Sequence, residues 1–166
     1  MKIQIKQFKS PCGELLLGSF DDKLCLCNWT KGKRKELIAK RLQTALNADY
    51  EESESEVINE TVRQLEEYFG KKRQKFNVPL LFAGTDFQKV VWRELLKIPY
   101  GTTVSYGELA RRIGMPKAVR AVAAANGANA ISIFAPCHRV IGSNNKLVGY
   151  GGGLEAKKWL LELETF

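Results

Sequence analysis

Histidine is nearly absent from this sequence, since His138 is the only one in 166 residues. No run of about 18 apolar residues is present, so no transmembrane helix is expected. Residues 1–6 alternate apolar and polar side chains and lack the apolar core of a signal peptide. The glycine-rich stretch 149–153 matches neither a phosphate-binding loop nor a dinucleotide fingerprint. These absences disfavour membrane proteins and nucleotide-binding enzymes, and we expect a cytoplasmic protein that uses no cofactor.

Cysteine is also scarce, with only Cys12, Cys25, Cys27 and Cys137 in the chain. Disulfides are not expected among them in a cytoplasmic protein. Cys25 and Cys27 are two residues apart, so within one strand they are predicted to share a face. The N-terminal half has no histidine to complete a zinc site with its three thiols. We therefore predict that these thiols pack in the core and that no metal is bound.

The charge balance is strongly basic, with a formal net charge of +8 and a pI near 9.4. Residues 85–166 carry 11 Lys and Arg against 6 Asp and Glu, so the excess leans toward this half. A polyanionic partner, most often nucleic acid, is one explanation of such an excess. An ordinary basic protein surface is the other.

The N-terminal part of the chain has the pattern of a small antiparallel sheet followed by helices, which predicts an α+β class. Alternating apolar residues and turn-forming residues indicate the strands, and apolar residues at helical spacing indicate the helices. Strands are predicted over residues 3–8, 14–20 and 23–29, and helices over residues 33–47 and 57–69.

Two stretches of this part are predicted to be irregular. Residues 50–56 are acidic and polar, which is typical of an exposed loop. Residues 78–84 have the composition of an extended linker. We therefore predict one domain over residues 1–79 and a second over residues 80–166.

The second part is predicted to be mostly helical. Thr85 is a suitable N-cap for a helix over residues 87–96, and Ser105 is suitable for a helix that ends at Ile113. A glycine-containing turn leads to another helix over residues 117–125, which makes a helix-turn-helix pattern. The apolar run 131–135 is predicted to be a short strand that leads to Cys137, and residues 154–164 form a final helix.

Cys137 is the strongest candidate nucleophile in the chain. A free cysteine is more commonly a small buried apolar residue, but His138 and Arg139 beside it are poor core residues. A proton acceptor favours the nucleophilic thiolate. Adjacent side chains usually point apart, so His138 would act on Cys137 through a bridging water. Glu162 or Glu164 would then orient the imidazole ring.

The helix around Arg120 is unusually rich in small residues, as in the run Ala118-Val119-Arg120-Ala121-Val122-Ala123-Ala124-Ala125. Close helix packing would explain such a composition. A recognition helix that approaches DNA and projects one long cation would explain it as well.

The stretch Pro136-Cys137-His138-Arg139-Val140 resembles the active-site signature of the O6-alkylguanine-DNA alkyltransferases. The likeness covers residues 85–164 densely and the N-terminal part only loosely. It also includes Thr85, Phe87-Gln88, Val91-Trp92, Leu95, Ile98-Pro99, Gly101, Ser105-Tyr106, Pro116 to Val122, and Tyr150 through Trp159-Leu160.

This resemblance implies a ribonuclease H-like N-terminal half and a single irreversible alkyl transfer from O6-alkylguanine to Cys137 after nucleotide flipping. O4-alkylthymine is an alternative lesion. The protein would bind duplex DNA as a monomer, from the minor groove. The implied catalytic residues are Cys137, His138, Glu164 and Tyr106. The implied DNA contacts are Arg120, Tyr106, Ala121, Ala125, Asn126 and Arg139. Asn129 would be a hinge, and Val148, Tyr150 and Gly151 would line the substrate pocket.

Three alternatives stay open at this point. An alkyltransferase-like lesion binder lacks the acceptor cysteine, whereas this chain has Cys137. A cysteine hydrolase usually needs a histidine distant in sequence, and the only histidine here adjoins the cysteine. A plain helix-turn-helix regulator would leave the segment 136–139 without a purpose.

Overall fold

Three antiparallel strands begin the chain in the computed structural model, which describes residues 1–142 and 147–165. They are β1 (Lys2–Ser10), β2 (Gly13–Phe20) and β3 (Lys23–Trp29). At the turn between β2 and β3, Asp21 and Asp22 have φ of 52° and 60°, as expected of a tight hairpin turn. These strands confirm the sequence prediction.

A fourth strand, β4 (Asp49–Glu52), lies in the acidic stretch that was predicted to be a loop. It pairs in parallel with β1, with Ile3 opposite Tyr50, and completes the sheet order β3-β2-β1-β4. Its acidic side chains are exposed at the sheet edge. The loop prediction was therefore wrong for residues 50–52, because backbone pairing with β1 forms this strand without an apolar pattern of its own, and it was right for residues 53–55.

Two helices pack against this sheet in separate apolar clusters. Helix α1 (Lys35–Leu46) shares a cluster with Ile3, and helix α2 (Glu56–Phe69) shares one with Leu15 and Leu17. Because alternate residues of a strand point to opposite faces, the packing of Leu16 with the α1 cluster places the helices on opposite faces.

Cys25 and Cys27 do not share a cluster, contrary to the sequence prediction. The β2–β3 register shifts between Gly18 and Ser19, and Cys25 is the extra residue of this bulge. Cys25 packs with α1, whereas Cys27 packs in the α2 cluster. Burial raises the pKa of Cys25 to about 12, in agreement with a core role.

The second half contains a helix-turn-helix, as predicted. Helix α3 (Asp86–Leu95) begins with a capping box between Thr85 and Gln88. A two-residue strand, β5 (Val104–Ser105), leads into α4 (Tyr106–Arg112), and α5 (Val119–Gly127) follows. Helix α5 starts two residues later and ends two residues later than the predicted span 117–125. With the N-terminal sheet and helices, this half confirms the α+β class.

The run 131–135 forms a compact turn, so the strand predicted there was wrong. It leads into a 3-10 turn at Cys137–Arg139 and strand β6 (Val140–Ile141), which pairs in parallel with β5. The final helix is α6 (Leu154–Leu163). Across 1–142 and 147–165, no helix is both long and apolar enough to span a membrane.

Candidate active site

The turn before Cys137 is held by one buried side chain, that of Asn129. Its Nδ2 donates to the carbonyl of Ala135 at 2.9 Å, and its Oδ1 accepts from the amide of Ile131 at 3.0 Å. The amide of Ser132 donates to the carbonyl of Cys27 at 2.8 Å, which ties the turn to β3. Asn129 therefore stabilises the turn between α5 and Cys137, in the place expected of the predicted hinge residue.

Cys137 lies at the start of the 3-10 turn, and only 5% of its surface is exposed. Burial raises the pKa of its thiol, while Asn129, Ser132 and the charge of Lys157 act in the opposite direction. The net shift is upward. A thiolate at this position therefore depends on a base and on the polar groups around it.

Cys137 faces a small cavity of about 20 Å³. Such a volume holds about one water molecule. Tyr150 and Gly151, two residues of the predicted substrate pocket, line this cavity. Val148 is exposed and does not line it. The remaining lining comes from Gly149, the end of β3 with the loop after it, the start of α1, and the end of α5 with the turn after it. It includes Asn28, Gly32, Arg34, Lys35, Asn126, Asn129 and Ser132.

Glu164 is the centre of a buried hydrogen-bond cluster behind Cys137. It is 2% exposed and accepts from Tyr68 Oη at 2.5 Å, from His138 Nε2 at 2.8 Å and from Arg139 Nε at 2.8 Å. Burial alone would raise the pKa of this carboxyl, but the bonds from His138 and Arg139 outweigh it and lower the pKa. Glu164 is therefore an ionised carboxylate inside the core, whereas Glu162 is exposed.

This carboxylate determines which nitrogen of His138 can accept a proton. Because Glu164 is ionised, His138 Nε2 carries the hydrogen that is donated to it. Nδ1 then has the free lone pair, and it is buried with no hydrogen-bond partner among residues 1–142 and 147–165. Burial lowers the pKa of His138, partly offset by Glu164, so the neutral ring is favoured. The arrangement suits His138 to accept a proton at Nδ1.

Arg139 belongs to the same buried cluster, which corrects its interpretation as a DNA contact. Its Nη2 also donates to Glu164, at 3.0 Å, and its Nη1 donates to the carbonyl of Ile98 at 2.7 Å. Its guanidinium lies 5.7 Å from the ring centre of Tyr100. The charge of Arg139 is thus neutralised by Glu164 in the core.

Lys157 is a buried cation that the sequence reasoning missed. It is 0% exposed, and its Nζ donates to the carbonyls of Val140 at 2.7 Å and Val148 at 3.0 Å. It therefore joins strand β6 to the glycine-rich stretch. Burial lowers its pKa to about 8, while the nearby Cys137 acts to raise it. Its i,i+3 and i,i+4 spacing from Leu154, Leu160 and Leu161 on α6 was the available signal that it could face inward.

Tyr106 lies at the first position of α4 and is partly buried beside the pocket. Its hydroxyl donates to the carbonyl of Val148 at 3.3 Å. Burial and the nearby Cys137 raise its pKa, and an interaction with Asn126 lowers it in part. Tyr106 is thus a protonated phenol close to Cys137 and Asn126, which both line the cavity.

The four predicted DNA contacts on α5 divide into two pairs. Arg120 and Ala121 are exposed on the outer face of the helix. Ala125 and Asn126 are buried, and the carbonyl of Ala125 accepts from Trp92 Nε1 at 2.8 Å. Asn126 Nδ2 donates to the carbonyl of Cys137 at 3.4 Å. Arg120 and Ala121 are therefore available to a partner, whereas Ala125 and Asn126 position α3 and the active-site turn.

The glycine-rich stretch approaches β3 so closely at Gly152 that a side chain would not fit there. A Cβ at Gly152 would lie 2.6 Å from the Trp29 ring, and one at Gly32 would lie 2.6 Å from the carbonyl oxygen of Gly151. The rings of Trp29 and Tyr150 meet edge to face at 5.9 Å. These contacts close the cavity over Cys137.

Metal ligands were not expected from the sequence. Within the described ranges, no group of three or more His, Cys, Asp or Glu side chains is placed to hold a metal ion.

Two family models match the chain. One, described as the ribonuclease-like domain of 6-O-methylguanine DNA methyltransferase, matches residues 5–82. The other, described as the DNA binding domain of the same protein, matches residues 86–166.

Individual relatives agree with these models. A methylated-DNA–protein-cysteine methyltransferase from Methanosarcina acetivorans is 47% identical over 157 residues, which are 95% of each chain. One from Mycobacterium bovis is 58% identical over 103 residues, 62% of each chain. The crystal structure of Mycobacterium tuberculosis OGT in complex with DNA has a TM-score of 0.83 and 41% identity, covering 98% of this chain and 92% of that one.

Proposed function

The chain belongs to the 6-O-methylguanine DNA methyltransferase family, and from this premise we propose that Cys137 accepts the alkyl group from O6-alkylguanine in duplex DNA. The protein repairs DNA as a methylated-DNA–protein-cysteine methyltransferase. Cys137 is the only cysteine of the C-terminal half and lies in a polar pocket. Cys25 and Cys27 are enclosed in apolar clusters instead.

The transfer is a displacement at the alkyl carbon. The Cys137 thiolate attacks that carbon, the new C–S bond forms as the C–O6 bond breaks, and the electron pair of the broken bond goes to the guanine. Tyr106 donates a proton to guanine N3 to balance the charge, in keeping with its phenol beside the pocket. The thioether product is stable, so each molecule reacts once.

The observation that carries this proposal is the bond between His138 Nε2 and the buried Glu164. It leaves Nδ1 as the acceptor for the Cys137 proton, which passes through a bridging water. Glu164 then stabilises the imidazolium that forms. Because burial raises the pKa of the Cys137 thiol, such a base is needed to generate thiolate at neutral pH.

DNA binding uses the exposed face of α5. A guanine inside a stacked duplex cannot reach a buried thiol, so the nucleotide is rotated out of the helix. Arg120, exposed on α5, fills the gap that it leaves. The small side chain of Ala121 permits close approach of the backbone, and the protein binds as a monomer in the minor groove.

The cavity over Cys137 opens when the base enters, because about 20 Å³ admits only a water molecule. Entry requires the glycine-rich stretch around Gly151 to move away from Gly32 and Trp29, on which it packs. The opposite wall is fixed by Asn129 and the Glu164 cluster. We place the reaction in the cytoplasm, where no disulfide competes for the thiol.

Mass spectrometry of the protein after incubation with O6-methylguanine duplex DNA tests this proposal. We expect a gain of one methylene per chain, located on the peptide that contains Cys137. Cys137→Ala should abolish the gain while binding to undamaged DNA is retained. Cys12→Ala, at a partly exposed thiol, is the control and should react like the parent. Methylation of another cysteine, or repeated turnover at substoichiometric protein, would refute it.

A further inference from the structure

A second cavity, of about 1080 Å³, lies beside the active-site turn but has no part in the chemistry. Its walls are the connection between the two halves (74–82), helix α3 with the residues after it, and the turn 133–139. Pro136 and Arg139 line it, but Cys137 does not. We call it the connection groove. It shares no lining residue with the Cys137 cavity, so both sites can be occupied together.

The floor of the connection groove is apolar and aromatic. Phe76 and Phe134 contact each other there, with ring centres 4.2 Å apart, and Phe82 and Tyr100 extend the surface. Leu96, at the end of α3, is 46% exposed at the same place. Large apolar side chains gathered in one open groove are typical of a binding surface.

The rim of the connection groove is basic. Lys75, Lys89, Arg93 and Lys97 line it, and its lining contains no Asp or Glu. Lys97 pairs with Glu94 at 3.3 Å. The side chains of Lys75, Lys89 and Arg93 form no ion pair or hydrogen bond with any residue in 1–142 or 147–165. Three cations thus lie around an apolar floor with their charges uncompensated.

We propose that the connection groove binds an acidic, extended segment of a partner protein that carries one large apolar anchor residue. Carboxylates of the segment pair with the rim cations, and the anchor covers the aromatic floor. The volume exceeds that of most small-molecule pockets and suits a peptide. A DNA backbone would match the cations but would leave the floor exposed. The rings of the floor contact one another, and Phe82 contacts Trp92.

Fluorescence anisotropy with a labelled peptide of Asp, Glu and Gly around a central Phe tests the proposal on the full chain. One matched peptide has Ala in place of Phe, and another has Gln in place of Glu and Asn in place of Asp. The test variant is Lys89→Glu with Arg93→Glu. The control variant is Lys9→Glu with Lys40→Glu, at exposed cations outside the groove. Both pairs lower the net charge from +8 to +4, so overall charge is matched.

We expect the parent to bind the acidic Phe peptide, and each matched peptide to bind about tenfold or more weakly. The groove variant should lose at least tenfold in affinity, the control variant less than threefold, and Leu96→Ser about threefold to tenfold. Alkyl transfer from a free O6-methylguanine base should be the same in all of them, which verifies folding. If the groove variant is misfolded, the relative affinities of the parent for the three peptides test the proposal on their own.

Equal losses in the groove and control variants would show non-specific charge attraction and overturn the proposal. So would equal binding of the Phe and Ala peptides. If the parent binds no acidic peptide and the groove variant loses affinity for duplex DNA, the surface is a nucleic-acid contact and the proposal is wrong.

Discussion

The two sides of the 3-10 turn at Cys137 differ sharply in what holds them. On one side, Glu164 accepts bonds from Tyr68, His138 and Arg139 in the core. On the other, Cys137 faces a cavity closed by a glycine-rich stretch that packs against Trp29. The groups of the proposed proton transfer are thus held by buried hydrogen bonds, whereas the proposed entry of the base must displace a glycine-rich wall that is held by packing alone.

Breaking the fixed side should have the largest effect. Glu164→Gln leaves the buried guanidinium of Arg139 without its counter-charge, which we expect to cost about 3–5 kcal/mol of unfolding free energy. Alkyl transfer should fall about 100-fold or more, because His138 loses the group that orients it. Urea unfolding and single-turnover transfer are the measurements. Glu162→Gln, on the exposed side of α6, is the matched control and should change neither. Equal effects of Glu164→Gln and Glu162→Gln would contradict the role assigned to Glu164.

The pH dependence of the free energy of unfolding tests the role of Glu164 separately. The bonds to His138 and Arg139 lower the pKa of Glu164 in the folded protein, against the effect of burial. Its contribution is therefore complete above its unfolded pKa of about 4.3, and it is lost as pH falls through the folded value. We expect the parent's stability to drop more steeply than that of Glu164→Gln below about pH 4.3. The measurement is urea unfolding of both proteins at several pH values. If their unfolding free energies fall in parallel as the pH is lowered, Glu164 is not ionised in the folded protein.

Lys157 connects the two sides, and its removal should have a smaller effect. Lys157→Met removes a charge that favours the Cys137 thiolate and frees the carbonyls of Val140 and Val148. We expect a higher thiol pKa, measured by iodoacetamide alkylation against pH, and about tenfold slower transfer. In the parent, the stabilisation of the Cys137 thiolate by Lys157 should fade as pH rises through about 8, where Lys157 loses its proton. Lys158→Met, at an exposed neighbour, should match the parent.

The regular elements were predictable because their local signals are strong. Alternation and turn residues indicated β1 to β3, and the caps Thr85 and Ser105 marked two helices correctly. Strand β4 was missed because its pairing partner lies more than 40 residues away in sequence. The run 131–135 has the composition of a strand, but the side chain of Asn129 satisfies its backbone as a turn.

The site was predictable where residue type dictates chemistry. The pair Cys137 and His138, with a carboxylate on the last helix, could be proposed from the sequence, and the family resemblance selected Glu164. The burial of Arg139 and Lys157 could not be predicted from the sequence, because cations usually lie at the surface. Only the carboxylate and carbonyls that surround them in the fold make their burial favourable.

The most direct test of the proposed alkyl transfer is one comparison of transfer rates, which separates the chemistry that uses His138 from the base extrusion that uses Arg120. His138→Ala and Arg120→Ala would each be measured against the parent on O6-methylguanine in duplex DNA and as a free base. We expect a defect of about 100-fold or more for His138→Ala on both substrates. We expect a large defect for Arg120→Ala on the duplex alone, since only the duplex must be unstacked. Equal slowing of both substrates by Arg120→Ala, or full activity of His138→Ala on the free base, would contradict it.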